Sequence, residues 1–540
     1  MISDPHQDTA GPQLAKGSQG RTQVATLLTS VFIIAICGIL YELLISTMSS
    51  YFQGSSILHF SLVIGLFLSF MGVGSYLSRY LKEDLLTWFV RFEIWLSLIG
   101  GTSAVILYFA FSLTPYYYGV AFLLIGLLGS LIGIEIPILT RIVRQYENLR
   151  DAMAKVLSFD YLGALIASVA FPLILLPTLG VMRTAFIIGL LNLAVAAMNA
   201  WFFRKILPTH KRLLTICGIV GVLLAAGFGY SFSLNRFFDQ FLYQDQILYS
   251  KQTPYQHLVM TRWNDDVRLF IDGNLQFSSI DEYRYHEPLV HIPMLLAQHH
   301  AKVLILGGGD GLAAQAVMKH EGVKEITLVD LDPDMTQLAK THPVLSRLNG
   351  NSLNDPRVKT INQDAYKFIE EGSDLYDVIL IDLPDPNNTG LGKLYTTAFY
   401  QMLQRRVSTG GMIISQSTSP YYAPEAFWCI HRTMEEAFDQ VQAMNVYVPT
   451  FGQWGFNLAF QNQRWGQVES DSGRVDLLSH EIIHQLKVTP WADSLRYLTP
   501  EVVPALFSFD PDIAEREVEV NHLDNQSLVG YYESSWDRWR

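Results

Sequence analysis

The stretch VLILGGGDG, residues 303 to 311, decides the fold of the second half of this chain. Four apolar, β-favouring residues run into three glycines and Asp310-Gly311, which predicts a buried strand, a tight turn and the start of a helix. Gly307 and Gly309 in such a turn are candidates for contact with a nucleoside ligand. Because the carboxylate of Asp310 would repel a phosphate and attract a cation, the turn favours an adenosyl sulfonium over NAD.

Composition divides the chain into two parts with different chemistry. Residues 1 to 235 carry 14 Lys and Arg against 10 Asp and Glu, whereas residues 236 to 540 carry 24 against 40. The apolar first part is typical of a membrane-embedded region. The acidic second part argues against nucleic acid as a partner and suits a small cation. The three cysteines lie far apart, so they predict neither a disulfide framework nor a metal cluster.

The first part predicts a disordered tail at residues 1 to 22 and a transmembrane domain at 23 to 235. About seven apolar stretches have the length of a membrane-crossing helix. They lie near residues 24–48, 57–78, 94–112, 117–140, 156–179, 184–203 and 213–234. The chain is therefore predicted to be a multi-pass protein of the cell (inner) membrane, with the lipid bilayer as a partner.

Basic residues in the connecting segments predict the orientation. Thirteen of them fall on one side of the spans and only Arg183 falls on the other, which places the N-terminus in the cytoplasm. An odd number of spans would put the second part outside the cytoplasm, away from a substrate made inside cells, so its side stays open. Glu42, Glu135 and Asp160 lie within spans and are either functional groups or packing partners of nearby donors.

The second part predicts a small antiparallel β-sheet domain at 236 to 299, followed by an α/β domain at 300 to 460. Turn residues at 264–266 and 272–274 separate short alternating runs, as in β-hairpins. Five strands then alternate with helix-length segments, which predicts a Rossmann-like, doubly wound sheet. The strands are expected at residues 303–306, 326–329, 358–361, 378–381 and 412–415.

Acidic residues follow four successive strands, at the edge where such sheets bind ligands. Asp330 is placed to hold ribose hydroxyls, and Asp364 to accept the exocyclic amine of adenine. Each alone is more often a helix N-cap. Asp382 and Asp385 flank a stiff Leu-Pro and, with Asp310, are predicted to face one pocket. Since no set of His and Cys accompanies them, an amine fits better than a metal; a solvated acidic turn is the alternative.

These residues resemble the polyamine aminopropyltransferases, the spermidine synthase family, in its membrane-attached branch. The similarity covers about residues 245 to 460. It is carried by Tyr255-Gln256, DEYRYHE at 281–287, GGGDG at 307–311, VDLD at 329–332, Gln363-Asp364-Ala365, IDLPDP at 381–386 and GQWGF at 452–456.

The resemblance implies transfer of the aminopropyl group of decarboxylated S-adenosylmethionine to an amine such as putrescine. The products are a spermidine-type polyamine and 5'-methylthioadenosine, with no cofactor besides that co-substrate and no metal. It implies that Gln256, Asp330, Asp364 and Ala365 hold the donor together with the turn glycines. It also implies that Tyr285, His286, Asp310 and Asp385 position the amine and that Asp382 accepts the proton.

The chain departs from the family pattern at several positions, and some questions stay open. Leu312 and Ala365 stand where glycine is common, and Gln416-Ser417-Thr418-Ser419 stands where a Glu holds the far end of the acceptor, so the acceptor is not determined. Residues 461 to 540 are predicted to be folded, as a lid or an oligomer contact, and homo-oligomerisation is left open. An S-adenosylmethionine-dependent methyltransferase and a non-catalytic membrane polyamine sensor or transporter are the alternative functions.

Overall fold

The computed structural model describes residues 18–53, 56–243, 245–460, 471–536 and 538–539. The chain divides into two compact units, Met1–Asp245 and Gln246–Arg540, which we call the helical unit and the sheet unit. Residues 1 to 17 of the predicted disordered tail lie outside the described residues. Residues 18 to 22 are helical, because α1 begins at Ser18.

The helical unit consists of long apolar helices. They are α1 (Ser18–Gln53), α2 (Ser56–Leu77), α3 (Leu85–Gly101), α4 (Ser103–Leu113), α5 (Tyr117–Val143), α6 (Leu149–Ala170), α7 (Leu176–Phe202) and α8 (His210–Tyr243). A π-helical turn at Phe171–Leu175 joins α6 to α7. Helix α8 continues past residue 235, where the sequence analysis placed the domain boundary, and ends at Tyr243.

The helices match the predicted apolar stretches in order. Among the described residues, five helices have the length and composition to cross a membrane, or six if the bent pair α3 and α4 forms one span. One of the five is the continuous segment Leu149–Phe202, which contains two predicted stretches. Gly180 interrupts it with φ 70° and ψ 176°, and this break separates the two.

Small residues allow two of these helices to pack closely. A Cβ at Gly133 of α5 would collide with the backbone of Met71 in α2, and a Cβ at Gly74 would collide with Ser130. Close approach through glycine is a common means of association between apolar helices.

The sheet unit begins with a four-stranded antiparallel sheet in sequential order. Its strands are β1 (Gln246–Gln252), β2 (His257–Trp263), β3 (Asp266–Ile271) and β4 (Asn274–Ser278). Helix α9 (Tyr283–Leu296) follows and leads into the central sheet.

The central sheet has the order β10-β11-β9-β8-β5-β6-β7. Its strands are β5 (Lys302–Gly307), β6 (Glu325–Asp330), β7 (Val358–Asn362), β8 (Tyr376–Asp382), β9 (Val407–Gln416), β10 (Val441–Val448) and β11 (Gly452–Phe460). The first five are parallel and confirm the five predicted strands, and β10 and β11 form an antiparallel hairpin at one edge. The helices between strands are α10 (Leu312–Val317), α11 (Pro333–Thr341), α12 (Pro343–Leu348), α13 (Ala365–Glu371), α14 (Thr389–Gly392), α15 (Thr397–Gln404) and α16 (Pro424–Glu435).

The glycine turn after β5 brings the strand ends close together. Gly307, Gly308 and Gly311 have φ of 85°, 61° and 83°, which side chains rarely adopt. A Cβ at Gly307 would also collide with the backbone of Asp382, its partner on β8. The glycines therefore let the turn lie directly against the end of β8.

The C-terminal extension is folded, as predicted, in its described part. It contains α17 (Asp471–Val488), α18 (Val503–Leu506) and α19 (Ser527–Trp536). The carboxylate of Glu287 in α9 accepts hydrogen bonds from the backbone N–H groups of residues 496, 497 and 498. Asn521 donates to the carbonyls of Gly392 and Tyr395. The extension is thus attached to the body of the sheet unit.

Candidate active site

Asp382 lies at the end of β8 and is buried beside the glycine turn. The hydroxyl of Tyr285, from the first turn of α9, donates a hydrogen bond of 2.6 Å to its Oδ1. Burial raises the pKa of Asp382, while the nearby charge of His286 and the bond from Tyr285 act in the opposite direction. The result is a carboxyl group more basic than one in water.

His286 supplies positive charge next to these acids. Its Nδ1 lies 2.8 Å from Oε2 of Glu282. Burial opposes the charged ring, but the hydrogen bond and charge of Glu282, with smaller contributions from Asp382 and Asp310, raise the pKa of His286 to about 9. The imidazole is therefore protonated at neutral pH.

Asp310 lies in the glycine turn, immediately before Gly311, the N-cap residue of α10. Its Oδ1 accepts a hydrogen bond from the backbone N–H of Leu312. Burial raises the pKa of Asp310 to about 6; the charge of His286 opposes this shift, and the charge of Asp382 adds to it. Asp310, Asp382 and His286 are thus close enough to influence one another, as the prediction of a shared pocket requires.

Asp385 is held by a different set of donors. Its carboxylate accepts from Nε2 of Gln416 at 3.4 Å, from the Thr418 hydroxyl at 3.3 Å and from the Tyr532 hydroxyl at 2.9 Å. Burial raises the pKa of Asp385 to about 6, and these three bonds act against the shift. Gln416 and Thr418 belong to the segment that departs from the family pattern, so that segment contacts the predicted amine-binding acid directly.

Tyr532 is a site residue that the sequence analysis did not identify. It comes from α19 in the extension, and that helix packs against α16. The ring of Trp536 in the same helix stacks on Tyr422, with centroids 5.7 Å apart. The aromatic end of the chain was visible in the sequence, but nothing in its spacing indicates contact with a residue 147 positions earlier.

Aromatic rings surround Tyr285 on the side formed by β11. The centroids of Phe456, Phe451 and Trp454 lie 5.1, 6.3 and 6.5 Å from that of Tyr285. Nε1 of Trp454 is buried and has no hydrogen-bond partner among the described residues. This arrangement gives the carboxylates an apolar wall suited to methylene groups.

The second acid of the series, Asp330, lies at the end of β6 against the glycine turn. A Cβ at Gly309 would collide with its carboxylate, so only glycine fits there. Burial raises the pKa of Asp330 to about 7, and its bond from the backbone N–H of Asp332 opposes the shift. Gln256 lies in the turn before β2, where its carbonyl accepts from the backbone N–H of Thr253 at 2.9 Å. The hydroxyl of Thr253 donates to Asp332 at 2.8 Å. The backbone of Gln256 is thus linked through Thr253 to Asp332, whose own N–H donates to Asp330.

Asp364 occupies the N-cap of α13, and Ala365 is the first residue of that helix. Its carboxylate accepts from the backbone N–H groups of Tyr366 and Lys367 and lies 2.6 Å from Nζ of Lys393. Partial burial opposes ionisation, but Lys393 and the two N–H groups lower the pKa of Asp364. The geometry matches the N-cap alternative, with one oxygen shared with a lysine that the sequence analysis had not identified.

The predicted site residues therefore fall into two groups at one edge of the sheet. We name the two groups after the ligands that the sequence predicts for them. The amine edge comprises Tyr285, His286, Asp310, Asp382 and Asp385, and the nucleoside edge comprises Gln256, Gly307, Gly309, Asp330, Asp364 and Ala365. Within the described ranges, no three His, Cys, Asp or Glu side chains are arranged to hold a metal ion.

Comparisons with known proteins agree with this geometry. The family described as Spermine/spermidine synthase domain matches residues 282–471. A polyamine aminopropyltransferase of Leptospira interrogans is 43% identical over 516 residues, covering 95% of this chain and 99% of that protein. The chain belongs to the polyamine aminopropyltransferase family.

Another curated relative and a solved structure are also similar to this chain. Polyamine aminopropyltransferase 2 of Ralstonia nicotianae is 43% identical over 521 residues, covering 95% of this chain and 98% of its own. A crystal structure of a spermidine synthase from Thermotoga maritima is 24% identical and covers 49% of this chain and 85% of that chain, with a TM-score of 0.43. The two full-length relatives share the helical unit as well, since their matches cover 95% of the chain.

Membership confirms the resemblance drawn from the motifs. The protein is an aminopropyltransferase, a transferase of polyamine and spermidine biosynthesis, as its full-length relatives are. The alternative functions of the sheet unit, a methyltransferase and a non-catalytic sensor or transporter, are therefore no longer supported.

Proposed function

We propose that the protein transfers the aminopropyl group of decarboxylated S-adenosylmethionine to putrescine or a similar amine. The observation that carries this proposal is the buried amine edge. There the Tyr285 hydroxyl donates to Asp382, the protonated His286 lies within electrostatic reach of Asp382 and Asp310, and Asp385 is buried with only neutral donors on its carboxylate among the residues that the structure describes. A substrate with ammonium groups separated by methylenes matches such a site, because carboxylates hold its nitrogens and aromatic rings contact its carbons.

The two ends of the amine would have different partners. Asp385 holds the far ammonium, assisted by the hydroxyls of Thr418 and Tyr532 that already point at its carboxylate. Asp310, Tyr285 and His286 position the near nitrogen beside Asp382. His286 is protonated and limits the repulsion among the acids before the amine arrives.

Asp382 would accept the proton that frees the near nitrogen. The lone pair of that nitrogen attacks the methylene carbon next to the sulfonium, the carbon–sulfur bond breaks, and its electron pair returns to sulfur. The products are the longer polyamine and 5'-methylthioadenosine, and the proton passes from nitrogen to Asp382. Holding both substrates in line supplies most of the acceleration, because the sulfonium is already a good leaving group.

The nucleoside edge would hold the donor. Gly307 and Gly309 allow close approach of the ligand to the backbone, Asp330 accepts from the ribose hydroxyls, and Gln256 contacts the thioether end. Asp364 has one role in the fold, as a cap paired with Lys393, and the proposal gives it a second, as acceptor for the adenine amine beside Ala365.

We further propose that the helical unit crosses the cell (inner) membrane several times with a cytoplasmic N-terminus. The length and composition of its helices support this, as does the bias of basic residues to one side. A reporter active only in the cytoplasm, fused after Arg540, would decide on which side the sheet unit lies.

A product assay tests the catalytic proposal. Purified full-length protein is incubated with decarboxylated or ordinary S-adenosylmethionine and a panel of di- and triamines. We expect 5'-methylthioadenosine only with the decarboxylated donor, in amounts equal to the new polyamine. Methylated product from the ordinary donor, or no product with any amine in a folded preparation, would contradict the proposal.

A further inference from the structure

Besides Asp239 near the end of α8, four acidic side chains lie within the apolar stretches of the helical unit. They are Glu42 on α1, Glu93 on α3, Glu135 on α5 and Asp160 on α6. Glu93 had been left outside the predicted span, which began at residue 94, yet its side chain is fully buried. Within the described ranges, none of the four forms an ion pair with Lys or Arg.

Three of these acids line one cavity of about 60 Å³ between α1, α2, α5 and α6. Its walls are otherwise apolar and include Phe67, Met71 and Ile132, while Glu42, Glu135 and Asp160 supply the only charged groups among its lining residues. We call it the acid cavity.

Glu135 is the second observation that points to a ligand. It is 1% exposed, it lines the acid cavity, and no backbone N–H, hydroxyl, amide or basic group among the described residues donates to its carboxylate. The side chain within hydrogen-bond distance is the carboxyl of Glu93 on α3, which is itself fully buried and adds a second negative group rather than a compensating charge. An uncompensated carboxylate in apolar surroundings is strongly unfavourable, so this group must hold either a proton or a cation.

The surroundings distinguish between kinds of cation. A metal ion requires several oxygen ligands converging on one point, and the acids of the described helices are not arranged as a metal-binding group. An alkyl ammonium places its charge on one carboxylate and its methylenes on apolar walls, which is the combination found here. We propose that the acid cavity binds the ammonium end of an alkyl amine, with Glu135 as its principal partner.

This site is separate from the amine edge of the sheet unit and does not rest on the catalytic proposal. Its consequence is that both units recognise the same chemical class of ligand. The helical unit would then bind an amine within the membrane rather than serve only as an anchor.

Equilibrium binding to the full-length protein in phosphatidylethanolamine and phosphatidylglycerol vesicles tests the proposal. The probes are radiolabelled butane-1,4-diamine and, in parallel, radiolabelled sodium. All proteins carry D385N, which weakens binding at the amine edge equally in every sample. The variants are Glu135→Gln, which keeps the size of the side chain, and Asp151→Asn, an exposed acid at the start of α6, as the matched control.

We expect the parent and D151N to bind diamine at a site whose affinity falls about tenfold or more in E135Q, since a charge-assisted hydrogen bond is lost. Equal diamine binding by parent and E135Q would overturn the proposal. So would a Glu135-dependent site that takes up sodium but not the diamine.

A measurement on the parent protein keeps the test valid if E135Q fails to fold. Dicyclohexylcarbodiimide reacts with protonated carboxyls in apolar surroundings, and peptide mass spectrometry reports the N-acylurea formed on Glu135. We expect butane-1,4-diamine to slow this reaction about tenfold, for the same energetic reason. A rate that the diamine leaves unchanged would show that Glu135 is a protonated packing residue.

Discussion

Asp364 and Asp382 follow two strands of the same sheet, but their surroundings are opposite. Asp364 has a lysine at 2.6 Å and two backbone donors, whereas Asp382 is buried with a neutral tyrosine hydroxyl and shares one histidine with other acids. The first carboxylate is already neutralised by the protein. The second has no lysine or arginine beside it among the described residues, so Asp382 is prepared for a cationic ligand and Asp364 is not.

The largest expected effect is at Asp382. Replacing Asp382 with Asn removes the proton acceptor but keeps the shape and the contact with Tyr285. We expect the turnover number to fall about 100-fold to 10,000-fold, as is usual for loss of a general base, with amine binding retained. The measurement is release of 5'-methylthioadenosine. Asp374→Asn, at the exposed amino end of the same strand, is the control.

A large loss in D374N as well, or a nearly unchanged turnover in D382N, would remove the distinction between the two edges. Either outcome would place the base elsewhere.

Asp385 is expected to act on binding rather than on turnover. Because its carboxylate would hold a charged nitrogen, Asp385→Asn should raise KM for the amine about 10-fold to 100-fold, while KM for the donor stays constant. Initial rates with both substrates varied would show this. A proportional rise in both KM values would indicate general damage to the pocket instead.

The pH dependence follows from the raised pKa values of Asp310 and Asp385, both about 6. Both exceed the unfolded value of about 3.9, so the stability they contribute is complete below about pH 4 and is lost as pH rises through about 6. A bound amine neutralises the newly formed charges. We therefore expect putrescine to raise the unfolding temperature more at pH 7 than at pH 5.

Thermal unfolding with and without putrescine at the two pH values tests this expectation. The donor analogue 5'-methylthioadenosine serves as a neutral control. A putrescine effect that is larger at the lower pH would reverse the sign and refute the assignment.

Tyr532 should have a moderate effect. Removing its hydroxyl in Tyr532→Phe takes one neutral donor from Asp385, which corresponds to about 1 kcal/mol or a fivefold rise in KM for the amine. Tyr531→Phe, one position earlier on the same helix, is the matched control because Tyr531 contacts the backbone of Glu519 instead. Steady-state kinetics with two diamines of different length would show whether the effect depends on the far nitrogen.

The smallest effect is expected at Asp364, the already neutralised acid. Asp364→Asn keeps much of the cap but loses the pairing with Lys393, so stability should fall by about 0.5 kcal/mol, as for a partly exposed pair. Denaturant unfolding measures this change. A rise of KM for the donor well beyond that would show that the adenine contact outweighs the structural one.

Much of the sheet unit could be predicted because its signals are local. Buried apolar runs identified the five parallel strands, and parallel topology places whatever follows each strand at one edge, so Asp310 and Asp382 could be expected to meet. The contact of Tyr532 with Asp385 could not, because it depends on the path of the extension around α16. The pairing of Lys393 with Asp364 was missed for a similar reason, since α14 and its neighbours follow a loop without periodic pattern.

In the helical unit, the hydropathy pattern did not determine exactly where each apolar helix begins and ends. Hydropathy located the apolar stretches but began one of them a residue after Glu93, and it could not show that Glu135 faces a cavity. The predicted gap between residues 179 and 184, by contrast, coincides with the non-helical backbone of Gly180 in the segment Leu149–Phe202. Whether a single charged side chain is buried depends on the side chains of other helices that surround it. The hydropathy pattern of the sequence does not contain that information.

The hydrogen bond from Tyr532 has a consequence for how the enzyme matures. The glycine turn and all seven strands of the central sheet are synthesised before α19, so a growing polypeptide can shape the nucleoside edge while Asp385 still lacks its tyrosine. Translation arrest or proteolytic clipping ahead of α19 would leave Asp385 without its tyrosine donor. Under the proposed function, such a protein would bind the amine weakly.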